Sequence, residues 1–279
     1  GKQEENIIRC SLFNIKKLKK YIEKADIIVN LAAINGTKNF YSFPDKVFEV
    51  SARGIMNIYQ CLKTNSKKKI LIASSGEVYG EPPYIPTDEK VPLIVPDINN
   101  NRYSYGGGKI VQDLTTKFLI SKKNKDCTIF RPHNVYGPNM GKDHVIPELF
   151  YKTIKSKKKL QIQGNGKETR SFCYIDDFID GLIILIKKKN TKFNIYNIGN
   201  NKEIKIQDLC HLIMKTCRKN LLIKRGRLKK GSSLRRKPSI KKIKLCGYKP
   251  KVSITDGLKK FYKEDAYATK IREKFETGI

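Results

Sequence analysis

A doubly wound α/β fold on a parallel sheet is predicted for this chain, and three observations predict it. Short apolar runs bounded by turn residues recur at Ile27–Val29, Ile70–Ala73, Cys127–Phe130 and Phe193–Ile198, as strands buried on both faces read. Between them lie segments of helical spacing, such as Val47, Val50, Ile55, Ile58 and Leu62. The 279 residues can also bury a large core, as one big α/β domain or two smaller ones.

The elements follow in order. Ile15 to Ile22 reads as an amphipathic helix, and the strand Ile27-Ile28-Val29 runs into Asn30-Leu31-Ala32-Ala33. A helix over Val47 to Leu62 precedes the run Ile70-Leu71-Ile72-Ala73, which breaks into Ser74-Ser75-Gly76-Glu77-Val78-Tyr79-Gly80. After a Pro-rich loop, Tyr105, Lys109, Ile110, Val111, Leu114 and Phe118 keep helical spacing. The strand Cys127–Phe130 leads into Arg131-Pro132-His133-Asn134-Val135-Tyr136-Gly137-Pro138. Gln163 to Arg170 reads as a hairpin turn, and Asp176-Asp177 as the cap of a helix through Leu185. The strand ending at Ile198 and a helix over Ile206 to Cys217 follow, with Lys224 to Ser233 expected as a mobile loop.

The stretch from Ile70 to Lys109 carries the chemistry. Ligands of open α/β sheets bind at the carboxyl ends of strands, so the Ser75 hydroxyl is expected to face a crevice. Tyr105 and Lys109 are one helical turn apart and share a face. An ammonium there would favour the phenolate and lower the tyrosine pKa from about 10, giving a general base near neutral pH.

Composition narrows the class. No apolar run approaches the ~20 residues of a membrane span, and Gly1-Lys2-Gln3-Glu4-Glu5 has no apolar signal region. Seven cysteines, an odd number with no CxxC pair, suit free thiols in a reducing cytoplasm. The net charge of +32 is extreme, and basic chains bind phosphate backbones. Here the lysines fall in short clusters beside apolar periodic segments, as solvated helix faces do, so nucleic acid is not expected as a partner. With His133, His144 and His211 the only histidines and no ligand spacing among them, no metal site is expected.

The motifs Ser74-Ser75-Gly76-Glu77-Val78-Tyr79-Gly80, Tyr105-x-x-x-Lys109, Asn30-Leu31-Ala32-Ala33, Arg131-x-x-Asn134-x-x-Gly137-Pro138 and Arg236-Lys237-Pro238 together resemble the extended short-chain dehydrogenase/reductase family, specifically its nucleotide-sugar epimerases, dehydratases and decarboxylases. The resemblance spans nearly the whole chain. It implies a Rossmann-like NAD-binding domain over residues 1–138 and 171–199, and a smaller nucleotide-sugar-binding lobe over 139–170 and 200–279. It implies NAD as cofactor, with Leu31, Ala32, Ala33, Pro132, Tyr105 and Lys109 against it. Tyr105 would take the proton of the sugar C4 hydroxyl, Lys109 would hold the ribose, and Ser75 would bond the sugar oxygen. Asn134, Arg170 and Arg236 would hold a nucleotide sugar, most simply UDP-linked, the two arginines gripping its diphosphate. Glu77 joins the catalytic set. The family's dehydratases pair an Asp with this Glu, and Gly76 cannot supply that acid, so an epimerase or a uronate decarboxylase is implied. A cytoplasmic homodimer through helices equivalent to Val47–Leu62 and Ile110–Ile120 is also implied, and Ser51 stands where the family usually has Asn.

One part of the pattern is not met. A dinucleotide site needs a glycine-rich turn after its first strand, and none opens this chain. Matched to the family, the opening strands and that turn are expected to be missing, so that a non-catalytic product is the rival expectation.

Overall fold

The computed structural model describes residues 7–124, 126–189, 192–228 and 230–276; the reading of Gly1 to Glu5 and Lys229 within the expected mobile loop lie outside them. The first half alternates helix and strand: α1 (Ile15–Lys24), β1 (Ile27–Asn30), α2 (Thr37–Ser42), α3 (Pro44–Cys61), β2 (Lys69–Ala73) and α4 (Ser104–Thr115). A π-helical turn, Thr116–Ile120, joins α4 to the short α5 (Ser121–Lys123) before β3 (Cys127–Pro132). The second half holds β4 (Val135–Tyr136), α6 (Val145–Lys155), β5 (Lys159–Gln161), β6 (Thr169–Arg170), β7 (Cys173–Tyr174), α7 (Ile175–Lys187) and β8 (Asn194–Ile198). It ends with β9 (Ile204–Lys205), α8 (Ile206–Thr216), β10 (Leu222–Lys224), β11 (Arg235–Arg236), α9 (Lys241–Lys244), α10 (Ile254–Glu264) and α11 (Ala266–Glu276).

The main sheet is parallel throughout, in the order β1-β2-β3-β8. Successive strand residues point to opposite faces, and β2 shows the result. Ile70 and Ile72 pack with Ile55, Ile58 and Ile120 on one face, while Leu71 and Ala73 pack with Phe178, Leu182 and Leu185 on the other. Helices therefore cover both faces, as the apolar runs predict. A third core gathers α6, α8, α10 and α11 around Phe150, Leu209, Ile213 and Phe261. No helix among the described residues is long and apolar enough to cross a membrane.

Two local expectations need correction. Residues 163–170 do turn, with Gly164 and Gly166 at positive φ (74° and 84°) where Cβ-bearing residues are strained. The Glu168 carboxylate accepts the N–H groups of Asn165 and Gly166 across that turn. The flanking strands do not form a hairpin, however. β5 pairs with β10, and β6 lies between β11 and β9, so the turn sends the chain from one small sheet to another. Nor do Asp176 and Asp177 cap α7, because its N-cap is Tyr174 with no side-chain bond. Asp177 instead accepts the backbone N–H groups of Lys251 and Val252, and Asp176 pairs with Lys260, so both carboxylates tie down the C-terminal segment.

Candidate active site

β2 ends where its apolar run ends, and Ser75 caps the following 3₁₀ turn Gly76–Tyr79, its Oγ accepting the N–H of Glu77 at 3.2 Å. That leaves the Ser75 hydroxyl proton free to donate, and Ser75 lies near enough to Tyr105 to favour its phenolate. Tyr105 lies in the first turn of α4, stacked on Phe40 at 4.8 Å and 13°. The sequence-predicted Ser75 and Tyr105 are thus brought together from separate elements. Burial pushes the Tyr105 phenol up to about 12, with the Ser75 hydrogen bond acting against that rise.

Lys109 follows one turn later, as its spacing requires, but it does not produce the expected lowering. Its ammonium is 5.8 Å from the Tyr105 ring centroid and donates to the Ala73 carbonyl at 2.7 Å and Gln112 Oε1 at 3.1 Å. The side chain is 1% exposed, and burial brings its own pKa down to about 8. Spent on these acceptors and set beside the ring, the charge leaves desolvation to govern the phenol.

The cleft beside this pair, with a volume of about 380 Å³, is lined among others by Glu77, Arg102, Asn134, Arg170 and Arg236. Glu77 is gripped by Arg236 through both guanidinium nitrogens and by Arg102 at 3.2 Å. Burial alone would raise its pKa, yet the two guanidiniums hold it far below the carboxylate range. Arg236 enters from β11, and Arg170 from the neighbouring β6. Arg170 donates to the carbonyls of Thr169, Leu234 and Ser233. Burial, with Arg236 nearby, brings its pKa down to about 10. Two arginines therefore meet Glu77, with Arg170 beside them, and although Asp143, Glu148 and Glu168 also line the cleft, this group of guanidiniums suits phosphate or carboxylate ligands.

Asn134, at φ 42°, donates to the Ser171 carbonyl at 3.1 Å and lines the same cleft. Pro132 ends β3 beside Ile198. On the far side of Tyr105, the turn after β1 is closed by Asn30 Oδ1 accepting the Ala32 N–H at 3.2 Å. It presents Leu31 outward at 58% exposure, and Ala33 packs toward Phe40 and Tyr105. Small residues here admit a flat ring to the backbone next to Tyr105, so the nicotinamide side of a dinucleotide site fits. Among the described residues no glycine-rich turn joins a strand to a helix for the pyrophosphate.

Sequence reasoning missed Arg102 and underrated His133. Arg102 had a signal, standing three residues before Tyr105 and so one turn away on the same approach. His133 had none, because its place depends on a buried chain of bonds across β3 and β8. Arg131 pairs with Asp113 at 2.8 Å and donates to Tyr79 Oη at 2.8 Å. Tyr79 donates to Asn197 Oδ1 at 2.8 Å, and His133 Nε2 lies 3.0 Å from the same oxygen.

Comparison with known proteins agrees with this architecture. Residues 1–199 match the model of the NAD dependent epimerase/dehydratase family. The chain is 30% identical over 266 residues to the UDP-N-acetyl-alpha-D-glucosaminuronate decarboxylase of Bacillus cytotoxicus, covering 91% of this chain and 80% of that protein. Among solved structures, the UDP-glucuronic acid 4-epimerase of Bacillus cereus, in complex with UDP-glucuronic acid and NAD, superposes with a TM-score of 0.82 at 25% identity, covering 95% of this chain and 81% of the other. An epimerase of Methanothermobacter thermautotrophicus shares the fold with a TM-score of 0.83 at 23% identity, over 99% and 81% of the two chains. With the matched model spanning most of its length, and a strand-end Ser75 beside a Tyr105 one turn from Lys109, this chain belongs to the NAD-dependent epimerase/dehydratase family.

Proposed function

We propose that the chain acts on a nucleotide-linked uronic acid through a transient 4-keto sugar, with NAD as cofactor. The observation that carries this reading is the group of three guanidiniums on the cleft wall, Arg102, Arg170 and Arg236, of which Glu77 engages the first and the last. A nucleoside diphosphate and a sugar carboxylate would each take part of that group. The two relatives named above with assigned substrates, a decarboxylase and a 4-epimerase, both act on UDP-linked uronates.

NAD supplies hydride acceptance and return, so the net reaction need not be redox. Leu31, Ala32, Ala33, Pro132, Tyr105 and Lys109 would hold its nicotinamide side. Tyr105 would take the C4 hydroxyl proton as its phenolate, a form that the positive nicotinamide of bound NAD would favour against the protonated state that burial imposes here, and Ser75 would steady the phenolate and the sugar oxygen. Lys109 supplies positive charge beside the ring. Asn134 orients the sugar, while Arg170 and Arg236 take the diphosphate. Glu77 is held ionised by Arg236 and Arg102, so it can accept a hydrogen bond but is a weak base and brings no proton of its own. Dehydration, which needs an added acid, is disfavoured.

The division into a dinucleotide part, 1–138 and 171–199, and a sugar-nucleotide lobe, 139–170 and 200–279, is supported by the core that α6, α8, α10 and α11 share, which Tyr136, Phe172 and Tyr174 of the first part join at its edge. Homodimerisation through α3 and the segment from Ile110 in α4 to Ile120 in the π-helical turn is supported by the exposed apolar residues Phe48, Leu114 and Phe118. A cytoplasmic setting is supported by seven cysteines that are all free. The test is NMR product analysis with added NAD on UDP-glucuronate, UDP-glucose and UDP-galactose. A UDP-pentose or UDP-galacturonate from UDP-glucuronate is expected; turnover of the neutral sugars alone would overturn the uronate reading.

A further inference from the structure

Lys109 carries its ammonium inside the fold, and among the described residues the two acceptors that it meets are both neutral. They are the carbonyl of Ala73, the last residue of β2, and the amide oxygen of Gln112, which is itself fully buried. Gln112 also donates through Nε2 to the same Ala73 carbonyl at 3.0 Å. Ammonium, amide and strand end close a triangle of hydrogen bonds. The amide cannot be turned over within it, because an ammonium only donates and a carbonyl only accepts.

Tyr105, Lys109 and Gln112 fall at i, i+4 and i+7 on α4 and so share one face of that helix. The triangle therefore ties the helix that carries Tyr105 to the strand end that leads into Ser75. It also fixes Nζ where it lies, 5.8 Å from the Tyr105 ring centroid. The residue type matters as much as the geometry. A carboxylate at position 112 would offset the charge that the phenol feels, and a hydrocarbon would take away an acceptor.

The other charges around Lys109 have partners of their own. Asp113, on the same helix, favours the ammonium and pairs with Arg131 of β3 at 2.8 Å. In the turn after β2, Glu77 is taken by Arg102 and Arg236, and Tyr79 by Arg131. At the other end of β2, Lys69 pairs with Asp126. The buried residues of α3 include no charged side chain, and the Cys61 thiol donates to the Ile15 carbonyl. Burial brings the Lys109 pKa down to about 8, so the ammonium keeps its proton at neutral pH by about one unit. A hydrogen bond to a charged group is worth about one to two such units. The Gln112 amide is therefore the margin by which the charge survives.

We infer that Gln112 is a positioning residue of the active site, its amide keeping the Lys109 ammonium both charged and fixed beside Tyr105. The reaction that this charge serves rests on the nucleotide-sugar reading above, whereas the hold on Lys109 stands apart from it.

The experiment compares the parent with Gln112→Met, which keeps the length and loses both polar atoms, and Gln112→Glu, which keeps an acceptor oxygen. The Lys109 titration midpoint is read by NMR of ¹³C-lysine protein, its signal identified by its loss in Lys109→Met. It should fall by about one unit or more in Gln112→Met, and stay level or rise in Gln112→Glu. In turnover of UDP-glucuronate with NAD, the alkaline limb of the kcat profile should move down with the midpoint in Gln112→Met and hold its place in Gln112→Glu. An unmoved midpoint in Gln112→Met, or a kcat lowered equally at every pH, overturns the inference. A second measurement uses the parent alone, so it decides even where the variants fail to fold. The Gln112 side-chain amide signals in ¹H–¹⁵N NMR should shift through the pH at which Lys109 titrates, and signals that ignore that titration overturn the inference. A parent that turns over no UDP-sugar, while its Lys109 midpoint depends on Gln112, fails the nucleotide-sugar reading alone.

Discussion

Replacing Lys109 with Met should stabilise the protein while abolishing its turnover. Lys109 is 1% exposed, and burial moves its pKa from 10.5 to about 8. Because the folded value is lowered, the charged form is penalised in the native state. The penalty is complete below about pH 8 and fades as pH rises toward the unfolded value. At pH 7 a shift of this size corresponds to about 3 kcal/mol, and at pH 9.5 only about 1.4 kcal/mol is left. Methionine removes the penalty but also a partner of Gln112 Oε1, at a cost of about 1 kcal/mol. The Ala73 carbonyl keeps a donor in Gln112 Nε2 at 3.0 Å. The expected net gain is therefore about 2 kcal/mol at pH 7, shrinking to near zero at pH 9.5. Urea unfolding of both proteins at the two pH values measures it, and the difference between them cancels the titration of other lysines and tyrosines. A variant less stable at pH 7, or a difference that ignores pH, would refute the reasoning.

Three further outcomes are expected. Tyr105→Phe keeps the stacking on Phe40 and should leave UDP affinity intact while cutting turnover on UDP-glucuronate by roughly 10², the scale of losing a positioned base. Arg170→Ala removes the donors that pin Ser233 and Leu234, and should weaken UDP binding by roughly 1.5–3 kcal/mol in a calorimetric titration. Glu77→Gln leaves Arg236 and Arg102 facing a neutral amide and should cost about 2 kcal/mol at pH 7. The Glu77 carboxyl is held below its ordinary 4.5, so its contribution is full above that pH and is lost as pH falls. Melts of the parent and Glu77→Gln should accordingly converge in acid.

The parts legible in the sequence are those decided locally. β1, β2, β3 and β8 lie within a residue or two of the apolar runs, and Tyr105 and Lys109 share a helix because four residues make about one turn. The illegible parts are decided by what arrives from elsewhere. Residues 163–170 carry every mark of a hairpin, yet β10 and β11 claim the flanking strands from more than fifty residues away. Glu77 could be placed on the turn after β2, but not its two arginine partners, one of which is 159 residues distant. Lysine and tyrosine spacing suggested a pKa lowered by charge, and burial reversed the sign. Burial of that kind depends on Phe40 and Val47, which pack over Tyr105 from another part of the chain.

The three consecutive glycines of α4 are not equivalent, and the difference bears on engineering. A Cβ at Gly106 would stand 3.1 Å from the Glu77 carbonyl, and one at Gly108 3.0 Å from Ser51 Cβ on α3. Those two positions let the helix backbone lie close against its neighbours. At Gly107 the nearest atom would be 3.7 Å away, an ordinary contact. Glycine within a helix forgoes roughly 0.8–1 kcal/mol relative to alanine, so Gly107 gives up stability without gaining proximity. A Gly107→Ala substitution is open as a silent stiffener of the helix that carries Tyr105, whereas alanine at either neighbour would prise α4 away from the turn or from α3.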